Sequence, residues 1–166
     1  MNLKKLRKNF LAPILVIVAL VVFVKRPEVF APQEDVNSGN SEEVYASVAR
    51  VIDGDTIEIS GGQKVRLLGI DAPERGEPYF DEAKKHLQEL TEGKDVRLTK
   101  DVRETDKYGR LLRHIYVDEA WINEKMIQDG FARIVTFPPD VAHVDAFTNA
   151  QEEAQNQKKG LWRAQQ

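Results

Sequence analysis

Apolar and polar positions alternate in two neighbouring stretches of this chain. In Thr56–Ser60, Ile57 and Ile59 share one face, and in Lys64–Ile70 the residues Val65 and Leu67 resume the rhythm after Gly61-Gly62. A period of two marks a half-buried strand, and a glycine pair tolerates the positive φ of a two-residue hairpin turn. The pattern predicts a tight hairpin reversing at Gly61-Gly62, with position 53 facing position 70 and position 55 facing position 68. Tyr45–Val51, Val96–Lys100 and Leu111–Val117 read as further strands. Five short strands in this arrangement suit a small Greek-key barrel.

Elsewhere the spacing turns helical. From near Pro78, the residues Phe80, Ala83, Leu87 and Leu90 fall on one face, and Gly93 follows as a stop. A second, short helix is predicted with Asn123 as N-cap, Met126 and Ile127 inward and Gly130 at its end. A third runs from about Val144 to Lys159, burying Phe147, Ala150 and Ala154, with Gly160 after it and Leu161 and Trp162 as apolar closure. The expected class is α+β, a five-stranded OB-fold barrel with three helices. About 120 residues bury one adequate core unaided, and the chain has no cysteine for a bridge.

Ahead of this domain the pattern differs again. Lys4, Lys5, Arg7 and Lys8 precede an uncharged run, Phe10–Val24, and then Lys25-Arg26-Pro27. That order predicts an export signal with its heavier basic end on the cytoplasmic side. Val29-Phe30-Ala31 has the small-residue look of a cleavage site, but Pro32 and the flanking charges tip the balance slightly to a retained anchor. Residues 1–31 are thus expected to be a signal peptide or membrane anchor, residues 32–43 a flexible acidic tether, and residues 44–163 the folded domain. The protein is expected outside the cytoplasm, extracellular or at the cell surface. It would touch the membrane through its N-terminal segment if that is not cleaved, and no protein partner is expected.

Charge narrows the functional classes. The chain carries 24 Lys+Arg against 27 Asp+Glu, a net of −3. Without residues 1–31, which hold six basic residues and one acid, the count is 18 against 26, a net of −8. Proteins that depend on nonspecific phosphate attraction are normally basic, so this composition argues against a simple nucleic-acid binder.

Candidate chemistry concentrates in Val51–Glu74, where Asp53, Asp55, Asp71 and Glu74 gather around the hairpin with Arg66. Acids so close repel one another unless a cation sits among them, and an all-oxygen set suits a hard ion such as Ca²⁺ or Mg²⁺. D-G-D-T alone is a common turn; the arginine on the same ribbon raises its significance, because a fixed cation beside a metal suits a phosphate. A second cluster, Thr105–Arg110, stands just before the strand Leu111–Val117. Alone it is an ordinary charged turn. Beside the first motif, Arg110 becomes a candidate second phosphate clamp, with Lys107 and Tyr108 offering a charge and an aromatic face to a nucleotide. His86, His114 and His143 lack the spacing of a metal or acid–base pair and read as surface or packing residues.

The runs R-V-I-D-G-D-T, R-L-L-G-I-D-A-P-E and T-D-K-Y-G-R, with a closing G-L-W, resemble the staphylococcal nuclease (thermonuclease) family. The motifs stand in family order from about Val44 to Arg163. The resemblance implies a Ca²⁺-dependent phosphodiesterase on an oligonucleotide-binding barrel, attacking DNA and RNA and leaving 3′-phosphate ends. By motif position, Asp55 and Asp71 resemble direct carboxylate ligands of Ca²⁺. The main-chain carbonyl of Ala72 would be a third ligand, with Asp53 behind the direct ligands. Glu74 matches the glutamate that orients or deprotonates the attacking water. Arg66 and Arg110 match the arginines that hold the scissile phosphate, and Lys107 and Tyr108 match contacts to a neighbouring phosphate. Two departures concern substrate grip. The family's tyrosine near Thr136 is absent, so that contact is lost or passes to Phe137, and Arg75-Gly76-Glu77 replaces a lysine-rich loop. The rival expectation is a noncatalytic nucleic-acid or protein-binding module on the same barrel; such copies would be expected to lose an acid or an arginine, and this chain loses none.

Overall fold

The computed structural model describes residues 44–163, so the expected export segment and tether lie outside the described residues. In chain order the elements are β1 (Val44–Asp53), β2 (Thr56–Ile59), β3 (Lys64–Leu67), β4 (Ile70–Asp71), α1 (Phe80–Thr91), β5 (Asp95–Thr99), β6 (Leu111–Val117), β7 (Ala120–Trp121), α2 (Ile122–Gln128), β8 (Arg133–Ile134) and α3 (Val144–Asn156), with a 3₁₀ turn at Gly160–Trp162. Strand β1 pairs with β2 on one side and β5 on the other; β6 pairs antiparallel with β5 and parallel with β3. Those contacts close five strands into a barrel in the order β1-β2-β3-β6-β5, and three helices pack around it, as expected for the OB-fold α+β class. Among the described residues no helix is long and apolar enough to cross a membrane.

The hairpin forms, but its register differs by one residue from the expectation. Thr56 faces Arg66, Ile57 faces Val65 and Glu58 faces Lys64. A two-residue turn at Gly61-Gly62 would set Ile57 opposite Arg66 and so drive a guanidinium into the core. Residues directly opposite share a face, so the core decides the register, and the connection absorbs the odd residue. Ile59 N–H donates to Gln63 O at 3.0 Å, closing a wider loop in which both Gly61 (φ 95°) and Gly62 (φ 83°) are left-handed. Asp55 consequently lies beside Leu67, whose N–H donates to Asp55 O at 2.9 Å. Asp53 belongs to β1 and faces Thr56 across the Gly54-Asp55 turn.

The expected strand Lys64–Ile70 is broken at Leu68–Gly69. Gly69 has φ 75°, and a Cβ there would sit 2.2 Å from the Phe147 ring. The turn redirects the chain, so that Ile70 and Asp71 leave the barrel and pair with Ile134 and Arg133 of β8. Both β4 and β8 are two residues long, too short for any period to announce them. The barrel interior is filled by Ile57, Val65, Leu67, Leu98 and Ile115, all at most 1% exposed. Each such aliphatic side chain contributes on the order of 1.5–3 kcal/mol by leaving water. Helix α1 adds Ala83 and Leu87, α2 adds Met126 and Ile127, and α3 adds Phe147 and Ala150 to the same cluster. Leu161 and Trp162 pack with Ala154 as a smaller cluster, the apolar closure expected of them.

Asn123 is not the cap of α2. The helix starts two residues earlier, at Ile122 after Trp121, with no side-chain cap. Asn123 is instead fully buried: Ile115 N–H donates to its Oδ1 at 2.8 Å, and its Nδ2 donates to Leu68 O at 2.9 Å and Arg113 O at 3.3 Å. It bolts the β3–β4 turn to β6 and α2. Helix α3 ends at Asn156, short of the expected Lys159.

Candidate active site

Asp55 starts the site. It sits in the turn between β1 and β2, where Asp55 N–H donates to Asp53 Oδ1 at 3.2 Å. Its carboxylate is buried against the β4 exit: Ala72 N–H donates to Oδ2 at 3.0 Å and Thr56 Oγ1 donates to Oδ1 at 3.0 Å. Burial pushes its pKa up from 3.8 to about 6, despite the opposing pull of Arg66, the Ala72 N–H and Thr56, and with a further push from Asp53. Desolvation outweighs the one guanidinium present. A carboxylate left short of positive charge in this way fits a hard cation.

Arg66 projects from β3 beside Thr56, on the face opposite the core. Its Nη1 donates to Leu67 O and Ile70 O, each at 2.7 Å, so the β3–β4 turn grips the guanidinium from behind. Its Nη2 lies 3.0 Å from Asp55 Oδ2 and donates to Asp71 Oδ1 at 3.3 Å. Thus Asp55, Asp71 and Arg66 are brought together, with the arginine acting as the cation between two acids. Asp71 remains exposed while Asp55 is covered. Among the described residues no three His, Asp or Glu side chains are grouped so as to hold a metal. The four-acid cluster expected from the sequence is therefore a two-carboxylate pair, with Asp53 orienting the Asp55 backbone. Glu74 is exposed and no contact ties it to Arg66 or Arg110; its own N–H donates to Glu77 Oε2 at 2.9 Å, capping the turn that leads to α1.

The second motif builds a rigid loop around Asp106. Its Oδ1 accepts N–H groups from Tyr108 at 2.9 Å and Arg110 at 3.0 Å, and its Oδ2 accepts from Arg110 Nε at 2.7 Å. Burial works against the Asp106 charge, but Arg110 and the two N–H donors outweigh it and hold the carboxyl below its ordinary range. Arg110 Nη1 donates to Thr56 Oγ1 at 3.4 Å, which joins this loop to the first motif. Tyr108 is 72% exposed, with Lys107 Nζ 5.0 Å and the Arg110 guanidinium 5.5 Å from its ring centre.

One cleft of about 500 Å³ collects these parts: Arg66, Asp71, Lys107, Tyr108 and Arg110 all line it. Phe137, 59% exposed, lines it too, where the sequence left the aromatic contact in doubt. Arg103 is a lining residue that no motif announces. It lies just outside T-D-K-Y-G-R, and the partner that fixes it, Asp140, is 37 residues away. The histidines take no part. His114 is buried beside the His143 ring (centres 4.6 Å apart), and burial, then His143, drive its pKa down to about 3 against Asp140. His86 pairs with Asp129 at 2.8 Å.

Comparison with known proteins agrees with this geometry. Residues 64–164 match the family model described as "Staphylococcal nuclease homologue". The chain is 31% identical to the thermonuclease of Staphylococcus hyicus over 159 residues, 90% of this chain and 94% of that protein. It is 36% identical to the thermonuclease of Staphylococcus intermedius over 124 residues, 69% of this chain and 74% of that protein. With endonuclease YncB of Bacillus subtilis it shares 35% identity over 130 residues, 72% of this chain and 62% of that protein. With a matching barrel, two paired motifs in one cleft and relatives along most of its length, the chain belongs to the staphylococcal nuclease family.

Proposed function

We propose that this nuclease-family domain is a calcium-dependent phosphodiesterase that hydrolyses DNA and RNA to products with 3′-phosphate ends. The observation that carries the reading is the convergence of Arg66, Arg110 and Asp71 on one cleft, with Asp55 joined to Asp71 through Arg66. Attack on a phosphodiester piles negative charge onto a five-coordinate phosphorus, so fixed cations do more here than any side-chain nucleophile. Arg66 is held by two carboxylates and two carbonyls, and Arg110 by the Asp106 carboxylate and the Thr56 hydroxyl, before substrate arrives, and so both meet that charge with little reorganisation.

Asp55, Asp71 and the Ala72 carbonyl would hold Ca²⁺, whose chemistry is to offset phosphate charge and lower the pKa of bound water. Glu74, exposed at the mouth of the turn, supplies the carboxylate that orients or deprotonates the attacking water. Lys107 and Tyr108 take the neighbouring phosphate and its nucleotide. The sequence of residues 1–31 further supports action outside the cytoplasm, where Ca²⁺ is abundant. Digestion of denatured DNA by the full chain, with Ca²⁺ or with chelator, tests the reading. Cleavage is expected only with Ca²⁺, and is expected to fall by about a hundredfold or more in Glu74→Gln and Arg66→Ala. Cleavage that survives chelation, or that either substitution leaves near the wild-type rate, sinks the mechanism; binding without cleavage returns the domain to the noncatalytic module.

A further inference from the structure

Among the described residues Arg103 is the one arginine lining the cleft that neither motif contains, and like the other two it is held by a carboxylate. Its Nε donates to Asp140 Oδ2 at 2.5 Å and its Nη2 donates to Phe137 O at 3.1 Å. Asp140 Oδ1 meanwhile accepts the backbone N–H groups of Arg103 (2.8 Å) and Val102 (2.9 Å). One carboxylate thus sets both the backbone and the side chain of Arg103. The pair is also asymmetric. The Asp140 side chain is 1% exposed, whereas that of Arg103 is 42% exposed. The negative end is sealed in protein and the positive end faces the cleft, so the pair, neutral as a whole, turns its cationic end to whatever enters. Among the described residues Nη1 of Arg103 has no hydrogen-bond partner, which leaves donors for an oxygen anion.

Phe137, whose carbonyl steadies this guanidinium, exposes its ring on the same wall. A guanidinium beside an exposed ring is suited to one nucleotide of a single strand, with phosphate on the cation and base on the ring. We infer that Arg103, positioned by buried Asp140, binds a backbone phosphate of the substrate strand next to the one held by Arg66 and Arg110. The inference rests on the nuclease reading for its ligand, but the contact is an equilibrium one and can be measured without cleavage. Arg103 here is a binding residue that sets strand affinity.

The test is fluorescence anisotropy of a labelled oligodeoxythymidylate with the full chain in chelator, across a series of salt concentrations. Wild type, Arg103→Gln and Arg103→Lys are compared. Removing one phosphate contact lowers the slope of log affinity against log salt by about 0.7 for a single strand. Arg103→Gln is expected to weaken binding several-fold at low salt and to lose that increment of slope; Arg103→Lys is expected to restore the slope. A merely structural role would weaken binding by disturbing the Phe137 loop, with the slope unchanged and no rescue by lysine. That result, or no measurable wild-type binding at low salt, overturns the inference. Cleavage in Ca²⁺ is scored in parallel. An Arg103-dependent slope without cleavage fails the nuclease reading alone, and cleavage with an unchanged slope fails this contact alone.

Discussion

Arg66 is the cation of two carboxylates and, in the proposed reaction, of a phosphate as well. Those demands conflict unless another positive charge relieves the acids, because Nη2 contacts Asp55 and Asp71 together. Calcium binding should therefore stabilise the fold through Asp55. A ligand that binds only the native state adds RT ln(1 + [L]/Kd), about 2.7 kcal/mol at a hundred times Kd. Thermal melts of wild type are expected to rise by several degrees in saturating Ca²⁺ over chelator, and Asp55→Asn is expected to lose that rise. An equal rise in the variant places the ion elsewhere. For catalysis, Arg66→Ala is expected to lower kcat by about 10²–10³ or more, the cost of removing one preorganised donor at developing charge; single-turnover cleavage measures it. Asp55, Arg66 and Arg110 were legible in the sequence because each sits in a short motif next to a strand end. Arg103 was not, because its meaning comes from Asp140, which sequence spacing cannot bring near.

Among the elements, those with a full period were legible and those without one were not. β2 and β5 fall within a residue of expectation because their alternating positions declare a core face, and β6 has its expected bounds as an apolar-rich run although residues 112–115 are all buried. The hairpin register is not legible, because a glycine pair suggests a two-residue turn while the shared core face of Ile57 and Val65 forbids it. The place of Asn123 is not legible either, because the preference for a cap is local and the three groups it satisfies are not. Asn123→Ala would orphan Ile115 N–H and Leu68 C=O in the interior, each costing about 1–3 kcal/mol. Urea unfolding is expected to show a loss of about 2–6 kcal/mol; a loss below about half a kcal/mol would mean water replaces the side chain. His114 adds a pH dependence at this scale. Its folded pKa, about 3, lies below the unfolded value of 6.5, so the unfolded chain binds more protons in between. Stability is fully present above 6.5 and is lost as pH falls towards 3, by at most about 1.4 kcal/mol per pH unit. His114→Phe is expected to flatten the fall in melting temperature between neutral pH and pH 4.5, whatever it does to stability at neutral pH.

For the whole molecule the governing fact is charge of the wrong sign for its substrate. Outside residues 1–31 the chain carries a net of −8, so at long range it repels a polyanion. Binding must then come from contacts made inside the cleft, where each cation displaces counterions condensed on the strand. Screening favours this arrangement: the body's repulsion acts over distances beyond the Debye length of about 10 Å at 0.1 M salt, and contacts at hydrogen-bond range are screened far less. Two consequences oppose each other as salt rises. Repulsion fades, which helps binding slightly, while release of counterions loses its advantage, which weakens binding steeply. The second dominates because it scales with the number of phosphates contacted. The phosphate held by Arg66 and Arg110, the one taken by Lys107 and the one inferred for Arg103 together give a slope of about −2 in log affinity against log salt for a single strand, so tenfold more salt costs roughly a hundredfold in affinity. The affinity itself is expected to be modest, since nothing outside the cleft adds to it. Titrating an oligonucleotide across the salt series checks both statements. A flat profile would remove the electrostatic account altogether, and a much steeper one would require Lys and Arg side chains outside the cleft to form a basic track along the strand.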